Sequence, residues 1–285
     1  MKNIFLILFV LLLCACEKVI NLDLPERGSR IVVNGLITDQ KTVYSVTLTK
    51  TTKYNFTYST TNLVYEKKAI VIVSDDAGNK DTLPEISPGN YRTHLNKLQG
   101  VIGRSYKVDI FTIDGNHFQS DMEKMLPVAK IDSIYFTRDY NDKYNGDPNS
   151  YRCDIYIDWH DPANEINYYL RSMSYYWNGQ WHDNVQWNWV FNDKYFNGEY
   201  LKKDNVNESY SGKNWTFKLN QYSLTKNAYD FWNLVHEQTQ SGGDNTNSMT
   251  VPLIGNVYNV NNPNDYTLGY FQVSALTTAQ IYINR

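Results

Sequence analysis

Short runs of alternating apolar and polar residues, each closed by turn-forming residues, occupy most of this chain. From Val43 to Thr49, Val43, Ser45, Thr47 and Thr49 fall on one face and Tyr44, Val46 and Leu48 on the other. That is the period of two by which a strand turns one face to a core. Tyr151-Arg152-Cys153-Asp154-Ile155-Tyr156-Ile157 repeats it, while Ile31-Val32-Val33-Asn34-Gly35-Leu36-Ile37 and Ala69-Ile70-Val71-Ile72-Val73 are apolar enough for strands buried more deeply. Turn chemistry separates the runs: Ser74 to Asn79, Pro88-Gly89-Asn90 and Asp114-Gly115-Asn116. The 24 tyrosines and an aromatic content of 15% suit a pleated, half-buried surface, and helix-favouring alanine is scarce. The expected fold is all-β.

Pro127, between Leu126 and Val128, ends one series of runs before Ile131 begins another. This divides the chain into an N-terminal β-sandwich over 29–126, of immunoglobulin or transthyretin type, and a C-terminal aromatic-rich β domain over 127–285. One amphipathic helix is predicted over 223–241 in the second. Ser223 stands as N-cap, Leu224, Ala228, Phe231, Trp232 and Val235 recur at helical spacing, and Gly242-Gly243 follows. Leu268 to Ala275 and Ala279 to Ile283 read as two closing strands.

The first residues describe an address. Lys2 precedes an uncharged apolar run from Ile4 to Leu13, too short for the roughly 18–20 residues of a membrane span. Leu13-Cys14-Ala15-Cys16 resembles a bacterial lipobox. Ala15 before Cys16 fits the cut better than bulky Leu13 before Cys14, so residues 1–15 are read as a lipoprotein signal peptide. Cys16 becomes the lipidated residue, and 16–28 a tether or edge strand. Acyl chains contribute ~0.8 kcal/mol per buried methylene, and three of them exceed what stable anchoring requires. With Cys14 removed and Cys16 lipidated, Cys153 is left alone on a strand-like run, where a small buried hydrophobe is the expected role. A formal net charge of −3 without a basic cluster gives no footprint for nucleic acid.

Chemistry is harder to place. There is no Gly-rich phosphate loop, no Gly-x-Ser-x-Gly elbow and no His-Glu-x-x-His pair. His160-Asp161 and His182-Asp183 are isolated pairs without metal-site spacing, so no catalytic residue, metal ligand or cofactor is nominated. The densest aromatic stretch runs from Tyr175 to Tyr200. Asn178-Gly179 places Trp177 and Trp181 at a hairpin tip, and Trp187, Trp189 and Phe191 recur with period two. Trp177, Trp181, Trp187 and Trp189 are candidate ligand or partner contacts; packing in the core or between domains is the first expectation for such rings, ahead of a partner contact and then a glycan-stacking platform.

Several short motifs together resemble a family of Bacteroidota outer-membrane lipoproteins catalogued as a domain of unknown function of the 4249 type. They are Cys16-Glu17-Lys18, Ile31-Val32-Val33-Asn34-Gly35, the Tyr229/Phe231/Trp232 helix, Pro252-Leu253-Ile254-Gly255-Asn256-Val257 and Leu268-Gly269-Tyr270-Phe271. The resemblance implies genes beside SusC-like TonB-dependent transporters and supplies no active-site residues. The expectation is a lipid-anchored, non-enzymatic outer-membrane protein that serves such a transporter in nutrient binding or uptake, with the leaflet left open. A glycan-binding surface lipoprotein and an unrecognised hydrolase are the alternatives.

Overall fold

A computed structural model of the chain describes residues 28–52, 63–143, 146, 151–163, 165–211, 214–240 and 251–283. Before Pro127 run β1 (Ile31–Thr38), β2 (Ser45–Lys50), β3 (Val64–Tyr65), β4 (Ile70–Asp75), β5 (Lys80–Leu83), β6 (Glu85–Ser87), β7 (Asn90–Arg92), β8 (Ser105–Phe111), β9 (His117–Ser120) and β10 (Glu123–Lys124). After it come β11 (Ile131–Asp139), β12 (Tyr151–His160), β13 (Tyr168–Trp177), β14 (Gln180–Asn192), β15 (Tyr200–Ser211) and β16 (Trp215–Leu224). Helix α1 (Lys226–Gln240), β17 (Val257–Asn259), β18 (Leu268–Ser274) and β19 (Leu276–Ile283) complete the order. The fold is all-β with one helix among the described residues.

Two sheets form the first sandwich. One runs β18-β1-β2-β7-β6 with β3 on β2, the other β17-β9-β8-β4-β5 with β10 on β8. Alternation sets what lies between them: Val33, Val46, Leu48, Val71, Val73, Val108 and Ile110 are fully buried, their strand neighbours less so. Each contributes about 1.5–3 kcal/mol by leaving water. The face of β2 carrying Val46 and Leu48 is the buried one.

The span 127–285 does not form a unit by itself. β17 pairs antiparallel with β9, and β18 pairs parallel with β1, so residues 257–274 complete the N-terminal sandwich. Phe271 faces Gly35 across the β18–β1 pair and is fully buried in the first core. A Cβ on Gly35 would stand 2.8 Å from its ring. Without β18, β1 would be an open edge with Phe271 missing from its core. Ala275 alone then separates β18 from β19, which belongs to the second sandwich.

That second sandwich places β11-β12-β15 against β14-β13-β16-β19. Cys153, Ile155, Ile157 and Trp159 from β12 meet Tyr169, Met173, Phe217, Leu219 and Ile283. Cys153 is therefore a buried thiol in the core. The opposite face of β13 and β16 is covered by α1, whose Ala228 and Phe231 pack on Leu170, Leu224 and Tyr270. The helix starts later than its sequence pattern suggests. Ser223 is still in β16; its hydroxyl donates to Leu126 O (2.7 Å) and accepts from Ala275 N (3.0 Å). Thr225 is the cap, its Oγ1 accepting from Ala228 N at 3.2 Å.

Glu123, 5% exposed, sits where the two sandwiches meet. Its carboxylate accepts from Tyr270 OH, from Thr225 Oγ1 (2.9 Å) and from Asn256 Nδ2 (3.3 Å). Burial pushes its carboxyl above the ordinary value of 4.5, and these donors only partly oppose the shift. The folded chain thus holds this proton to higher pH than the unfolded one. Its stabilising contribution is complete below 4.5 and is lost as pH rises through the elevated value. Thermal melts from about pH 4.5 upward should show stability falling with pH, and Glu123→Gln should reduce that fall. Parallel profiles for the two proteins would locate the dependence elsewhere.

Candidate functional site

Edge strands decide where the second sandwich can admit a ligand. Along one side β11 lies against β19, and the sandwich is shut. Along the other, the edges β14 and β15 leave a cleft of about 640 Å³. This is within the ~300–1,000 Å³ range of small-molecule sites. Trp159, Trp189, Phe191 and Phe196 supply its aromatic walls, and Arg171, Asp204, Asn205, Asn207 and His236 its polar groups.

Each wall follows from strand phase. Trp159 continues the inward series Cys153, Ile155, Ile157 on β12 and is fully buried. Trp189 and Phe191 share the inner face of β14, opposite Arg171 and Tyr169 on β13. Phe196 comes from the turn after β14 and meets Trp159 edge-to-face, with centroids 5.8 Å apart. Asp161 and Asp193, both fully buried, hold that turn: Asp161 accepts from Gly198 N (3.0 Å) and Tyr169 OH (2.7 Å), and Asp193 accepts from Asn167 N (2.9 Å). Burial raises the Asp193 carboxyl, and the facing Asp161 adds to the shift. Neither carboxylate lines the cleft.

Arg171 is the polar centre. It occupies an inward position of β13 and is 6% exposed. Its Nε donates to Gln221 Oε1 (2.7 Å) and its Nη1 to Asp204 Oδ2 (2.8 Å). The guanidinium carbon lies 4.9 Å from the Trp159 ring centroid and 4.6 Å from that of Phe191, within cation–π distance. Gln221 is itself fixed by donating to Ala129 O (3.0 Å), and Trp159 Nε1 adds a second bond to Asp204 Oδ2 (2.8 Å). Burial pulls the guanidinium pKa below its ordinary value against the opposing pull of Asp204, but an arginine stays charged. Among the residues that line the cleft, two buried donors lack a hydrogen-bond partner among the described residues: Nη2 of Arg171 and Nδ2 of Asn207. Buried donors are normally paired, so two unpaired ones lining a single cleft mark acceptors to come.

The tryptophans flagged by their density separate in space. The hairpin turn forms as expected, with φ of 51° at Asn178 and 85° at Gly179, the signature of a type I′ turn. Trp177 pairs across it with Gln180, and Trp181 with Tyr176, so the two rings lie on opposite faces. They are 48% and 43% exposed. Trp177 lies near Trp215 (centroids 6.0 Å apart), whereas the Lys218 ammonium stands 4.5 Å over the Trp181 ring. Trp189 alone of the three reaches the cleft. The side chain of Trp187 and all of residues 1–27, including Cys16, lie outside the described part. The four thus do not make one platform. Arg171 was missed altogether, although a charge in phase with Tyr169 and Met173 was a visible signal.

His160, the last residue of β12, and Asp161, just beyond it, diverge: the imidazole is exposed beside Tyr200 and the carboxylate is buried. His182 packs on the Tyr175 ring, with centroids 5.1 Å apart. Among the described residues no group of three His, Cys, Asp or Glu is placed to hold a metal ion, and no helix is long and apolar enough to cross a membrane. No curated protein matches the chain. A family model does, over residues 17–280, and by that match the chain belongs to the family described as Domain of unknown function (DUF4249).

Proposed function

We propose that this chain is a lipid-anchored, non-enzymatic binding protein of the outer membrane that serves a TonB-dependent transporter by holding a small nutrient in the β14–β15 cleft. The observation that carries the binding role is the Arg171 side chain, set among aromatic rings with an unpaired N–H at the cleft wall. A site that binds needs shape, apolar walls and a few fixed polar groups. A glycosidase needs two carboxylates facing the scissile bond. The described lining holds one, Asp204, whose Oδ2 is engaged by both Arg171 and Trp159. This favours binding over glycoside hydrolysis by a carboxylate pair.

The anchoring half of the proposal rests on Cys16. What supports it is the Leu13-Cys14-Ala15-Cys16 sequence after a short apolar run, a region that precedes the family match over 17–280. Cys16→Ser is expected to abolish incorporation of labelled palmitate and to move the protein from the membrane pellet to the soluble fraction, with its melting temperature unchanged. A variant still in the pellet and still labelled would remove Cys16 from the account. The transporter association is tested by mild-detergent affinity purification of the wild type from its native membrane. An outer-membrane β-barrel should co-purify, and its repeated absence would count against this part.

A further inference from the structure

Building on the cleft as a binding site, we infer that its ligand is an uncharged, hydroxyl-rich ring compound, a neutral saccharide. Charge is the first reason. Arg171 already has its counter-ion, Asp204, at 2.8 Å, so the pair is neutral as a unit. A ligand carboxylate brought to Arg171 would stand beside the Asp204 carboxylate, and placing a like charge there is unfavourable. A cationic ligand would meet an acid already neutralised by Arg171.

What the cleft lacks is acceptors, not charge. Arg171 and Asn207 line one cavity, and Nη2 of the first and Nδ2 of the second are buried without a hydrogen-bond partner among the described residues. Asp204, with its side chain 24% exposed, adds an acceptor to the same wall. Hydroxyl groups meet both needs, since each accepts from an N–H and donates to a carboxylate. The remaining walls suit the rest of a pyranose. Trp189 is only partly buried on the inner face of β14, with Phe191 beside it, and such rings take the C–H face of a sugar. The cleft opens between two strand edges, so a ring can enter edge-on between the sheets without parting their hydrogen bonds.

Intrinsic tryptophan fluorescence of the detergent-solubilised mature chain tests this with three probe sets, each titrated to ~10 mM. The sets are neutral gluco-, xylo- and galacto-oligosaccharides, the corresponding uronic-acid oligosaccharides, and mixed tripeptides. The inference expects saturable change with a neutral saccharide and little with its acid counterpart. Trp189→Ala should then weaken binding at least about tenfold and Asn207→Ala about five- to tenfold, while Trp189→Phe, which keeps a ring, retains most of it. Binding of uronic acids or peptides alone, lost in Trp189→Ala, overturns the ligand class and leaves the cleft standing. Neutral-saccharide binding that Trp189→Ala and Asn207→Ala leave intact overturns the assignment to this cleft. No binding of any probe overturns both the ligand class and the binding role.

Discussion

Arg171→Met is expected to destabilise the protein by about 3 kcal/mol, at the low end of the ~3–5 kcal/mol typical when one member of a buried ion pair is removed. The substitution keeps the stem of the side chain and deletes the guanidinium. Gln221 Oε1 then loses its donor at 2.7 Å, and among the described residues the Asp204 carboxylate keeps only Trp159 Nε1. The low end applies because Asp204 is a quarter exposed and water can compensate part of its loss. In a chain of this size ~3 kcal/mol corresponds to a fall of about 6–12 °C in melting temperature. Asp204→Leu in the same molecule should recover much of that stability, since the stranded charge is removed with its partner. Calorimetry of the two single variants and the double variant checks the cycle; equal, additive losses would mean that the pair is not coupled. Ligand binding should be lost in all three.

A larger effect is expected at Gly269. Its φ is +83°, and a Cβ would stand 2.0 Å from the carbonyl oxygen of Val33, a backbone atom of the strand with which β18 pairs. Gly255 crosses the same place: a Cβ there would lie 1.6 Å from Gly269 O. Backbone has no rotamer by which to yield, so β18 would have to leave β1 and take Phe271 out of the first core. Gly269→Ala should therefore yield no soluble folded protein, beyond the ~4–5 kcal/mol that marks exceptional substitutions. Gly115→Ala is the control. Its φ of +87° is equally left-handed, yet nothing lies within 4 Å of its Cβ. There only conformational strain of about 1–2 kcal/mol is expected, visible as a lower melting temperature in a soluble protein. If Gly269→Ala behaved like Gly115→Ala, the close contact with β1 would not be a requirement of the fold.

These two sites also show what could be read from the chain and what could not. Period-two patterning reports which face of a strand is buried, so the strands around Val46, Ile110 and Ile155 were legible one by one. It does not report partners, and the parallel pairing of β18 with β1 joins residues more than 200 positions apart. A single cut at Pro127 was the natural reading because nothing local marks a strand that returns. The helix boundary shifted for a related reason: Ser223 has capping chemistry, but Leu126 and Ala275 engage its hydroxyl.

Trp177, Trp181 and Trp189 are separated by even numbers of residues, so an uninterrupted period of two would place them on one face. Two features of the β13–β14 hairpin break that phase. The two-residue turn sets Trp181 opposite Tyr176, on the other side from Trp177. The register then slips between the Ser172–Asn188 and Ser174–Asp183 pairs, which returns Trp189 to the inner face. Composition thus pointed to the right hairpin, and only its register picks out the ring that reaches the cleft. Arg171 supplies the rest of the site, and its importance depends on Asp204, Gln221 and Asn207, which are distant in sequence and meet only when both sheets are assembled.

The central claim is that ligand enters between β14 and β15, and hydrogen–deuterium exchange with and without saturating neutral oligosaccharide tests it most directly. The account predicts added protection in residues 188–192 and 201–207, with the hairpin tip at 177–181 unchanged. Protection confined to that tip, or falling on the first sandwich, would contradict it.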